Sequence, residues 1–308
     1  MLSKKSIIDI DSLTVEEVSQ ILERTDSFLE VSKRDVKKVP ALRGKTIVNL
    51  FFEPSTRTKT SFEIAAKRLS ADIINFSAST SSLKKGESIF DTLKTILAMS
   101  VDLIVVRHNC SGTVKLISEI ADIPVINAGD GKYQHPTQAL LDLYTIKKRF
   151  NDFNGLKAAV VGDIINSRVA RSDIELFKKM GIDITVVAPS MLLPDNMDYY
   201  GTEVKNCIDD VIEDADIIYM LRMQFERQDR KIYPSVREYN KFLSLNIDRL
   251  KKMKQGSIVM HPGPVNRGIE ISEEVMNASG ELAEKLEIEN QVTNGVAVRM
   301  ALLYLILS

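Results

Sequence analysis

The feature that most constrains the fold is a repeated alternation between short apolar runs and segments whose apolar residues recur at helical spacing. In the first half of the chain the apolar runs lie near 46–52, 73–76, 103–106 and 125–128. Helical patterns lie between them near 55–69, 87–99 and 113–120. Alternation of this kind is typical of a parallel sheet flanked by helices. The sequence therefore predicts an α/β fold whose strands are buried on both faces.

The same alternation restarts after residue 155, which predicts a second parallel sheet. Its apolar runs are "LKAAVVGD", "DITVVAP", "DIIYML" and "GSIVMHP", with helical patterns near 174–180 and 207–214. A chain of 308 residues suits two domains, and we place the boundary near 148–155, where polar residues interrupt the pattern. The apolar C-terminal segment carries Arg299 and is shorter than a membrane span, so it predicts a buried helix.

The composition is that of a soluble globular protein without a general surface for nucleic acid or membranes. Hydrophobic residues make up 44% of the chain and charged residues 27%, and the formal net charge is -1. The chain has no excess of basic residues, so its charge does not indicate nucleic acid or acidic lipid as a partner. The two cysteines, Cys110 and Cys207, lie far apart, and the N-terminal segment becomes polar too soon for a signal peptide. We expect a cytoplasmic protein with free thiols.

The sequence patterns that mark a resident metal or cofactor do not occur. The segment "VVGDIINSR" has one glycine where the dinucleotide fingerprint has three. No pair of His, Cys or Asp stands at zinc-ligand spacing, and no serine lies in a nucleophile-elbow pattern. We therefore expect no cofactor, no metal and no covalent intermediate.

A polar cluster, "STRT" at 55–58, follows the first predicted strand and opens a helix. Pro54 keeps the preceding residue extended and Ser55 suits the N-cap, so the other three residues fall in the first turn. Backbone N–H groups there lack intrahelical partners, and the helix dipole favours an anion. With two hydroxyls and a guanidinium added, the pattern indicates a phosphate site. On its own, the tetrapeptide is equally compatible with an ordinary cap and a solvated arginine.

Further polar residues recur at the carboxyl ends of the predicted strands, where doubly wound sheets place their functional groups. Four arginines share this position: Arg57, Arg107, Arg168 and Arg222. Such a set indicates a polyanionic ligand, because guanidinium groups bind phosphate and carboxylate through paired hydrogen bonds. His135 starts a helix, where the dipole favours a neutral imidazole that can donate to a carbonyl oxygen. The pattern indicates a site that orients its substrates and stabilises developing charge.

Seven segments, in order along the chain, resemble the aspartate carbamoyltransferase catalytic chains of the aspartate/ornithine carbamoyltransferase superfamily. They are "FFEPSTRTKTSFE", "SSLKKGES", "VVRH", "HPTQALLDLYTI", "GDIINSRVARS", "YMLRMQFER" and "HPGPVNRGIEI". The resemblance covers essentially the whole length. It implies a carbamoyl-phosphate-binding domain (1–148), an aspartate-binding domain (149–287) and a C-terminal helix (288–308) that returns to the first domain.

The resemblance also implies the reaction, in which the carbamoyl group of carbamoyl phosphate passes to the amine of L-aspartate for pyrimidine synthesis. The residues that would bind carbamoyl phosphate are Ser55, Thr56, Arg57, Thr58, Ser82, Arg107, His135 and Gln138. Those that would bind aspartate are Lys85, Arg168, Arg222, Gln224, Pro262, Gly263 and Pro264. Catalytic roles would fall to Arg57, Thr58, Lys85, Arg107 and His135. Glu53 and Arg227 resemble residues that link the two domains as they close.

By the same resemblance, Ser82 and Lys85 would come from the neighbouring subunit of a homotrimer with shared active sites, and Ser81 is the alternative to Ser82. A dodecamer with regulatory chains, or with a dihydroorotase, is compatible with that trimer. Gly263 stands where some members have leucine, in a stretch that acts mainly through its backbone. Two alternatives are ornithine carbamoyltransferase and a non-catalytic anion-binding relative. Pro262, where ornithine enzymes have a cysteine, and the segment "LKKGE" favour the aspartate reaction.

Overall fold

The computed structural model describes residues 6–77, 88–224 and 235–308. The chain forms two compact units, one of Met1–Tyr144 with Thr293–Ser308 and the other of Thr145–Val292. The change of unit falls inside a helix, a few residues before the polar break at 148–155.

Four described strands form the parallel sheet of the first unit, in the order β2-β1-β3-β4. The strands are β1 (Thr46–Phe51), β2 (Asp72–Ser77), β3 (Leu103–His108) and β4 (Val125–Asp130). The helices are α1 (Val15–Lys33), α2 (Thr56–Arg68), α3 (Ile89–Ala98), α4 (Thr113–Ile120) and α5 (Pro136–Phe150). All of β4 is buried, as expected for a strand covered on both faces. The chain places β2 on one side of β1 and then β3 and β4 on the other, so the strand order reverses between β1 and β3.

Five described strands form the parallel sheet of the second unit, in the order β7-β6-β5-β8-β9. The strands are β5 (Lys157–Val161), β6 (Asp183–Val187), β7 (Glu203–Lys205), β8 (Ile217–Met220) and β9 (Ile258–Met260). The α-helices are α6 (Arg168–Lys179), α7 (Met197–Tyr200), α8 (Val236–Phe242), α9 (Ile247–Lys252) and α10 (Glu273–Met276). Here the strand order reverses between β5 and β8.

The predicted α/β architecture is confirmed, and the differences lie in short segments of the second unit. The helix predicted near 174–180 begins at Arg168, because the Ser167 side chain accepts a hydrogen bond from the Ala170 N–H and caps it earlier. The helix predicted near 207–214 is wrong: that segment forms a 3₁₀ turn at Ile208–Asp210 and then turns. Strand β7 lacks an apolar run, because it lies at the edge of the sheet with Glu203 exposed.

The last helix, α11 (Ile288–Leu307), packs on the first unit, as expected. The rings of Tyr304 and Phe28 are 5.5 Å apart between centroids, in an edge-to-face arrangement. The guanidinium carbon of Arg24 lies 5.2 Å from the centre of the same Tyr304 ring. The end of the chain therefore completes the core of the unit that its beginning forms. Among the helices that the structure describes, none is both long and apolar enough to cross a membrane.

Candidate active site

Each sheet gathers polar side chains at the point where its strand order reverses. In the first unit, β1 and β3 are neighbours, and Phe51 pairs with Arg107 near their carboxyl ends. In the second unit, β5 and β8 are neighbours, and Val161 pairs with Met220. Open α/β sheets bind ligands in the crevice beyond such strand ends. Each unit therefore has one candidate site, and most of the predicted residues fall at one or the other.

The N-terminus of α2 forms one side of the first site. Ser55 occupies the N-cap with an extended backbone, at φ −159°, but its side chain makes no capping hydrogen bond within the described residues. Thr58 is buried in the first turn, while Thr56 and Arg57 are exposed. Because the Ser55 hydroxyl does not occupy the first-turn N–H groups, this helix end can accept an anion.

Arg107, at the end of β3, is held from two directions. Its Nη2 lies 3.3 Å from Oε1 of Glu53, in an ion pair that is largely shielded from solvent. Its Nη1 donates to the carbonyl oxygen of Ala128 at 3.2 Å. Two anchors on different atoms fix the plane of the guanidinium, and this fixes the direction in which it can donate to a ligand.

His135 lies directly before α5, on a loop that the N-terminal segment holds in place. The side chain of Gln134 accepts a hydrogen bond from the Ile10 N–H at 2.7 Å, and the Gln134 carbonyl accepts from the Asp130 N–H. His135 is buried, with Nδ1 3.5 Å from Oγ1 of Thr137. Hydrogen bonds of Gln134, before His135, and a contact of Thr137, after it, therefore support this loop.

Gln138 follows in the first turn of α5 and is bound to a carboxylate. Its Nε2 lies 3.1 Å from both side-chain oxygens of Asp142, four residues later on the same helix. Gln138 is half-buried, whereas Asp142 has no exposed surface. The amide is thus anchored through its nitrogen, which leaves its oxygen facing away from Asp142.

The second site begins with Arg168, the first residue of α6, which is buried at 3% exposure. Five residues earlier, Asp163 follows β5 and accepts hydrogen bonds from the backbone and side-chain nitrogens of Asn166. The second carboxylate oxygen of Asp163 also lies 3.4 Å from the Gln224 backbone nitrogen. Asp163 therefore ties the loop after β5 to the segment after β8, which carries Gln224.

A second buried carboxylate, Glu270, ties that segment to the loop after β9. Its two oxygens accept from the backbone N–H of Met223 and from the backbone and side-chain nitrogens of Asn266, each at 2.7 Å. Met223 lies between Arg222 and Gln224, so this bond fixes the backbone of both. Burial raises the pKa of Glu270, and these hydrogen bonds oppose the shift.

The loop after β9 carries the Pro262 to Pro264 stretch, for which a role of the backbone is predicted. The Gly263 N–H donates to Nδ1 of the buried His261 at 2.7 Å. Gly263 has φ +65°, a left-handed conformation that glycine adopts without strain. Glycine at this position is therefore consistent with a role of the backbone rather than of a side chain.

Several predicted residues fall in the segments at 78–87 and 225–234, which lie outside the described residues: Ser81, Ser82, Lys85 and Arg227. The remaining candidates are divided between the two sites, with carbamoyl-phosphate candidates in the first unit and aspartate candidates in the second. Within 6–77, 88–224 and 235–308, no group of three or more His, Cys, Asp or Glu residues could hold a metal ion.

Sequence reasoning missed the roles of Asp142 and Glu270, two of the buried carboxylates that hold these groups. Asp142 had a usable signal, because it follows Gln138 by four residues on one helix face, where such pairs hydrogen-bond. Glu270 had none, since one of its partners, Met223, lies 47 residues away along the chain.

Two family models together match almost the whole chain. The model described as "Aspartate/ornithine carbamoyltransferase, carbamoyl-P binding domain" matches residues 5–148. The model described as "Aspartate/ornithine carbamoyltransferase, Asp/Orn binding domain" matches residues 154–306.

Curated relatives are similar over their full length. The aspartate carbamoyltransferase catalytic subunit of Syntrophus aciditrophicus is 53% identical over 303 residues, which cover 98% of this chain and 97% of the relative. The catalytic subunit of the same name from Geobacter sulfurreducens is 50% identical over 302 residues, covering 97% and 95%.

Solved structures with the same fold include an aspartate transcarbamoylase from Trypanosoma cruzi in complex with carbamoyl phosphate and aspartate. It matches with a TM-score of 0.89 at 28% identity, covering 100% of this chain and 98% of that one. The catalytic subunit of the M. jannaschii aspartate transcarbamoylase matches with a TM-score of 0.82 at 34% identity, covering 98% and 97%. The chain therefore belongs to the aspartate/ornithine carbamoyltransferase family.

Proposed function

We propose that this chain is an aspartate carbamoyltransferase, which transfers the carbamoyl group of carbamoyl phosphate to the amine of L-aspartate. The products are N-carbamoyl-L-aspartate and phosphate, and the reaction serves pyrimidine biosynthesis. The observation that carries the proposal is the first site, where an uncapped helix N-terminus follows β1, Arg107 lies near the end of the neighbouring strand β3, and His135 and Gln138 follow β4. The relatives from S. aciditrophicus and G. sulfurreducens, at 50–53% identity, are both named for this activity.

The first site suits an acyl phosphate because it combines an anion-binding helix end with fixed donors. We assign the phosphate group to the first turn of α2, with Ser55, Thr56 and Arg57 around it. The carbonyl oxygen then faces Thr58, Arg107 and His135. Because Arg107 is held by Glu53 and by a backbone carbonyl, its donors need little reorganisation when charge develops on that oxygen.

The second site suits a dicarboxylate. We assign the carboxylates of L-aspartate to Arg168, Arg222 and Gln224, with the backbone of 262–264 beside them. A guanidinium binds a carboxylate through two parallel hydrogen bonds, which fixes the amine as well as the acid groups. The neutral amine attacks the carbonyl carbon, the C–N bond forms, and the bond from carbon to the phosphate oxygen breaks. The departing phosphate takes the amine proton, so the reaction requires no protein base.

We further propose that the enzyme acts in the cytoplasm as a homotrimer in which Ser82 and Lys85 reach the neighbouring subunit's site. Mixing inactive Arg57→Ala and Lys85→Ala subunits tests this. Each mixed trimer would hold one intact site, so random reassembly should restore about a quarter of the activity. Mixed trimers that form and stay inactive would contradict shared sites.

The choice between aspartate and ornithine is tested by a direct assay. Purified protein is incubated with carbamoyl phosphate and either amino acid, and the carbamoylated product and phosphate are measured. We expect turnover with L-aspartate and none with L-ornithine. Turnover with ornithine would reverse the assignment. Binding of carbamoyl phosphate without turnover of either amino acid would favour a non-catalytic anion-binding protein.

A further inference from the structure

Three side chains from two helices of the first unit interact, two through hydrogen bonds and the third through its charge. Gln138 and Asp142 lie one turn apart on α5, and Arg299 lies on α11. Nε2 of Gln138 is 3.1 Å from each oxygen of Asp142. Asp142 has no exposed surface, and Arg299 is 3% exposed. Asp142 and Arg299 are therefore shielded from solvent, whereas Gln138 is half-buried.

The carboxylate fixes which end of the Gln138 amide faces the site. Both oxygens of an ionised carboxylate accept hydrogen bonds and neither donates. The nitrogen of the amide must therefore face Asp142, since the amide oxygen would meet two further acceptors there. Consequently Oε1 of Gln138 is the end that faces away from Asp142, and it is an acceptor.

Arg299 supplies the positive charge that a buried carboxylate requires. Burial lowers the pKa of Arg299 to about 10. The charge of Asp142 opposes this shift. The guanidinium is therefore protonated at neutral pH. Its Nη1 donates to Oγ of Ser61 at 2.9 Å, and its carbon lies 5.2 Å from the centre of the Phe62 ring. These contacts join α11 to α2, the helix whose first turn forms the phosphate site.

The chain also leaves room for this arginine. A Cβ atom at Gly295 would lie 2.8 Å from Nη1 of Arg299 and 3.1 Å from Cδ2 of Leu141. Gly295 has its carbonyl oxygen 3.2 Å from the same Nη1, so it both accepts from the guanidinium and makes space for it. The position of Arg299 is thus specified by several independent contacts.

We propose that Asp142, balanced by Arg299, holds Gln138 so that Oε1 accepts from the N–H₂ of the carbamoyl group, and that this selects carbamoyl phosphate over acyl phosphates. The inference rests on the proposed function, because it takes Gln138 as a contact of carbamoyl phosphate. Asp142 and Arg299 are positioning residues, and neither touches the substrate. Acetyl phosphate has nearly the same shape, but it carries a methyl group where the carbamoyl group carries two N–H donors. A fixed acceptor at that place distinguishes the two.

The test compares carbamoyl phosphate with acetyl phosphate in wild type and in Asp142→Asn. An asparagine can face Gln138 with either its oxygen or its nitrogen, so the Gln138 amide is free to turn and place its own N–H₂ toward the ligand. We expect the preference for carbamoyl over acetyl phosphate, measured as the ratio of Kd values by calorimetry, to fall about tenfold. Binding of inorganic phosphate, which has no carbamoyl group, should stay within about twofold of wild type.

The matched control is Asp26→Asn, which makes the same acid-to-amide change against the same helix. Asp26 accepts a hydrogen bond from the Tyr144 hydroxyl at 2.8 Å, and Tyr144 lies six residues beyond Gln138 on α5. This control should lower stability without changing the ratio of Kd values. A ratio that changes equally in both variants would reduce Asp142 to a structural residue and overturn the proposal.

A second variant covers the case in which Asp142→Asn fails to fold because Arg299 loses its counter-charge. Asp142→Asn with Arg299→Met removes both charges together, which avoids a single uncompensated buried charge. The same fall in the ratio is expected. An unchanged ratio in either folded variant would overturn the inference while wild-type turnover of aspartate still supports the proposed function. Absence of carbamoyl phosphate binding in wild type would instead overturn the proposed function itself.

Discussion

Both units fix polar groups at the reversal of a sheet with a buried carboxylate, but the two carboxylates have different partners. In the first unit, Asp142 binds the Gln138 amide and is balanced by the buried cation Arg299. In the second unit, the described hydrogen bonds to the Glu270 carboxylate come from neutral nitrogens, those of Met223 and Asn266.

The two carboxylates orient neighbouring groups in the same way, but their ionisation depends on pH to different degrees. Burial lowers the pKa of Arg299 to about 10, so its charge persists throughout the neutral range. Burial raises the pKa of Glu270, and no cation among its described hydrogen-bond partners compensates. The first site should therefore keep its geometry over a wide pH range, whereas the second depends on the ionisation of one carboxyl.

Two variants with the largest predicted effect test whether the residues that stabilise the transition state belong to the first unit. We expect Arg107→Ala, and separately His135→Ala, to lower kcat by about 10²–10³, because that is the usual cost of removing one donor to a developing oxyanion. Steady-state kinetics should show a much smaller change in the aspartate KM. Arg43→Ala, at an exposed arginine of the same unit, serves as the control. An unchanged kcat in both site variants would refute the assignment.

The next effect tests whether aspartate recognition belongs to the second unit. We expect Arg222→Ala to raise the aspartate KM roughly 10- to 100-fold, since a hydrogen bond to a charged group contributes about 1.5–3 kcal/mol. Calorimetric titration with carbamoyl phosphate alone should give an unchanged Kd. Arg237→Ala, at an exposed position on α8, is the control. Loss of carbamoyl phosphate binding would mean that the roles of the units are exchanged.

A smaller effect is expected for Glu270→Gln, and it distinguishes the role of Glu270 from that of Asp142. In Glu270→Gln the amide N–H₂ would face donors from Met223 or Asn266, so the segment that carries Arg222 should loosen. We expect the aspartate KM to rise about 3- to 10-fold, with the ratio of carbamoyl to acetyl phosphate affinity unchanged. Glu238→Gln, at an exposed acid on α8, should change neither. A change in the acyl phosphate ratio would show that the two carboxylates do not act on separate sites.

The smallest predicted effect is on how the free energy of unfolding varies with pH. The pKa of Glu270 in the folded protein is above its ordinary value of 4.5, so the folded state retains this proton to higher pH than the unfolded state. The contribution of Glu270 to the free energy of unfolding is therefore greatest below pH 4.5 and declines as pH rises through the folded pKa. In thermal melts, the Tm of wild type relative to that of Glu270→Gln should fall as the pH rises across that window.

His261 requires a parallel control in that measurement, because its Nε2 lies 4.0 Å from the Glu270 carboxylate. The trend should persist when both proteins carry His261→Asn. A Tm difference that does not vary with pH would indicate that Glu270 has the same charge in the folded and unfolded states.

The sequence predicted the first site better than the second, for a physical reason. In the first unit, regular elements carry the residues: Arg107 ends a strand, and Ser55 and His135 each precede a helix. Such positions can be found from the hydrophobic pattern and the helix-start signals, and the observed strand ends agree with them. The contacts that orient these groups, such as Arg107 with Glu53, depend on pairing between strands and carry no local signal.

In the second unit, the backbone of 221–224 and 261–270 is mostly irregular, so its shape depends on contacts between distant segments. The strand-end pattern placed Arg222 among four candidate arginines, but the assignment of Arg222 and Gln224 to aspartate came only from the resemblance to a family. Nothing in the sequence indicated that Glu270 holds Met223, because a buried acid in an apolar stretch has no periodic pattern of its own. The late prediction of α6 has the same origin, since the apolar pattern does not reveal that Ser167 caps the helix before Arg168.

The contact between Arg299 and Ser61 joins residues 238 positions apart, and it has a consequence for the synthesis of the chain. The ribosome releases residues 1–144 of the first unit before the second unit, while the helix that balances Asp142 emerges after the second unit. During translation the nascent first unit therefore lacks part of its core, although domains commonly fold as units in the order of synthesis. The unit that begins to form first is therefore completed only after the second unit has been made, so the contact between Arg299 and α2 forms late.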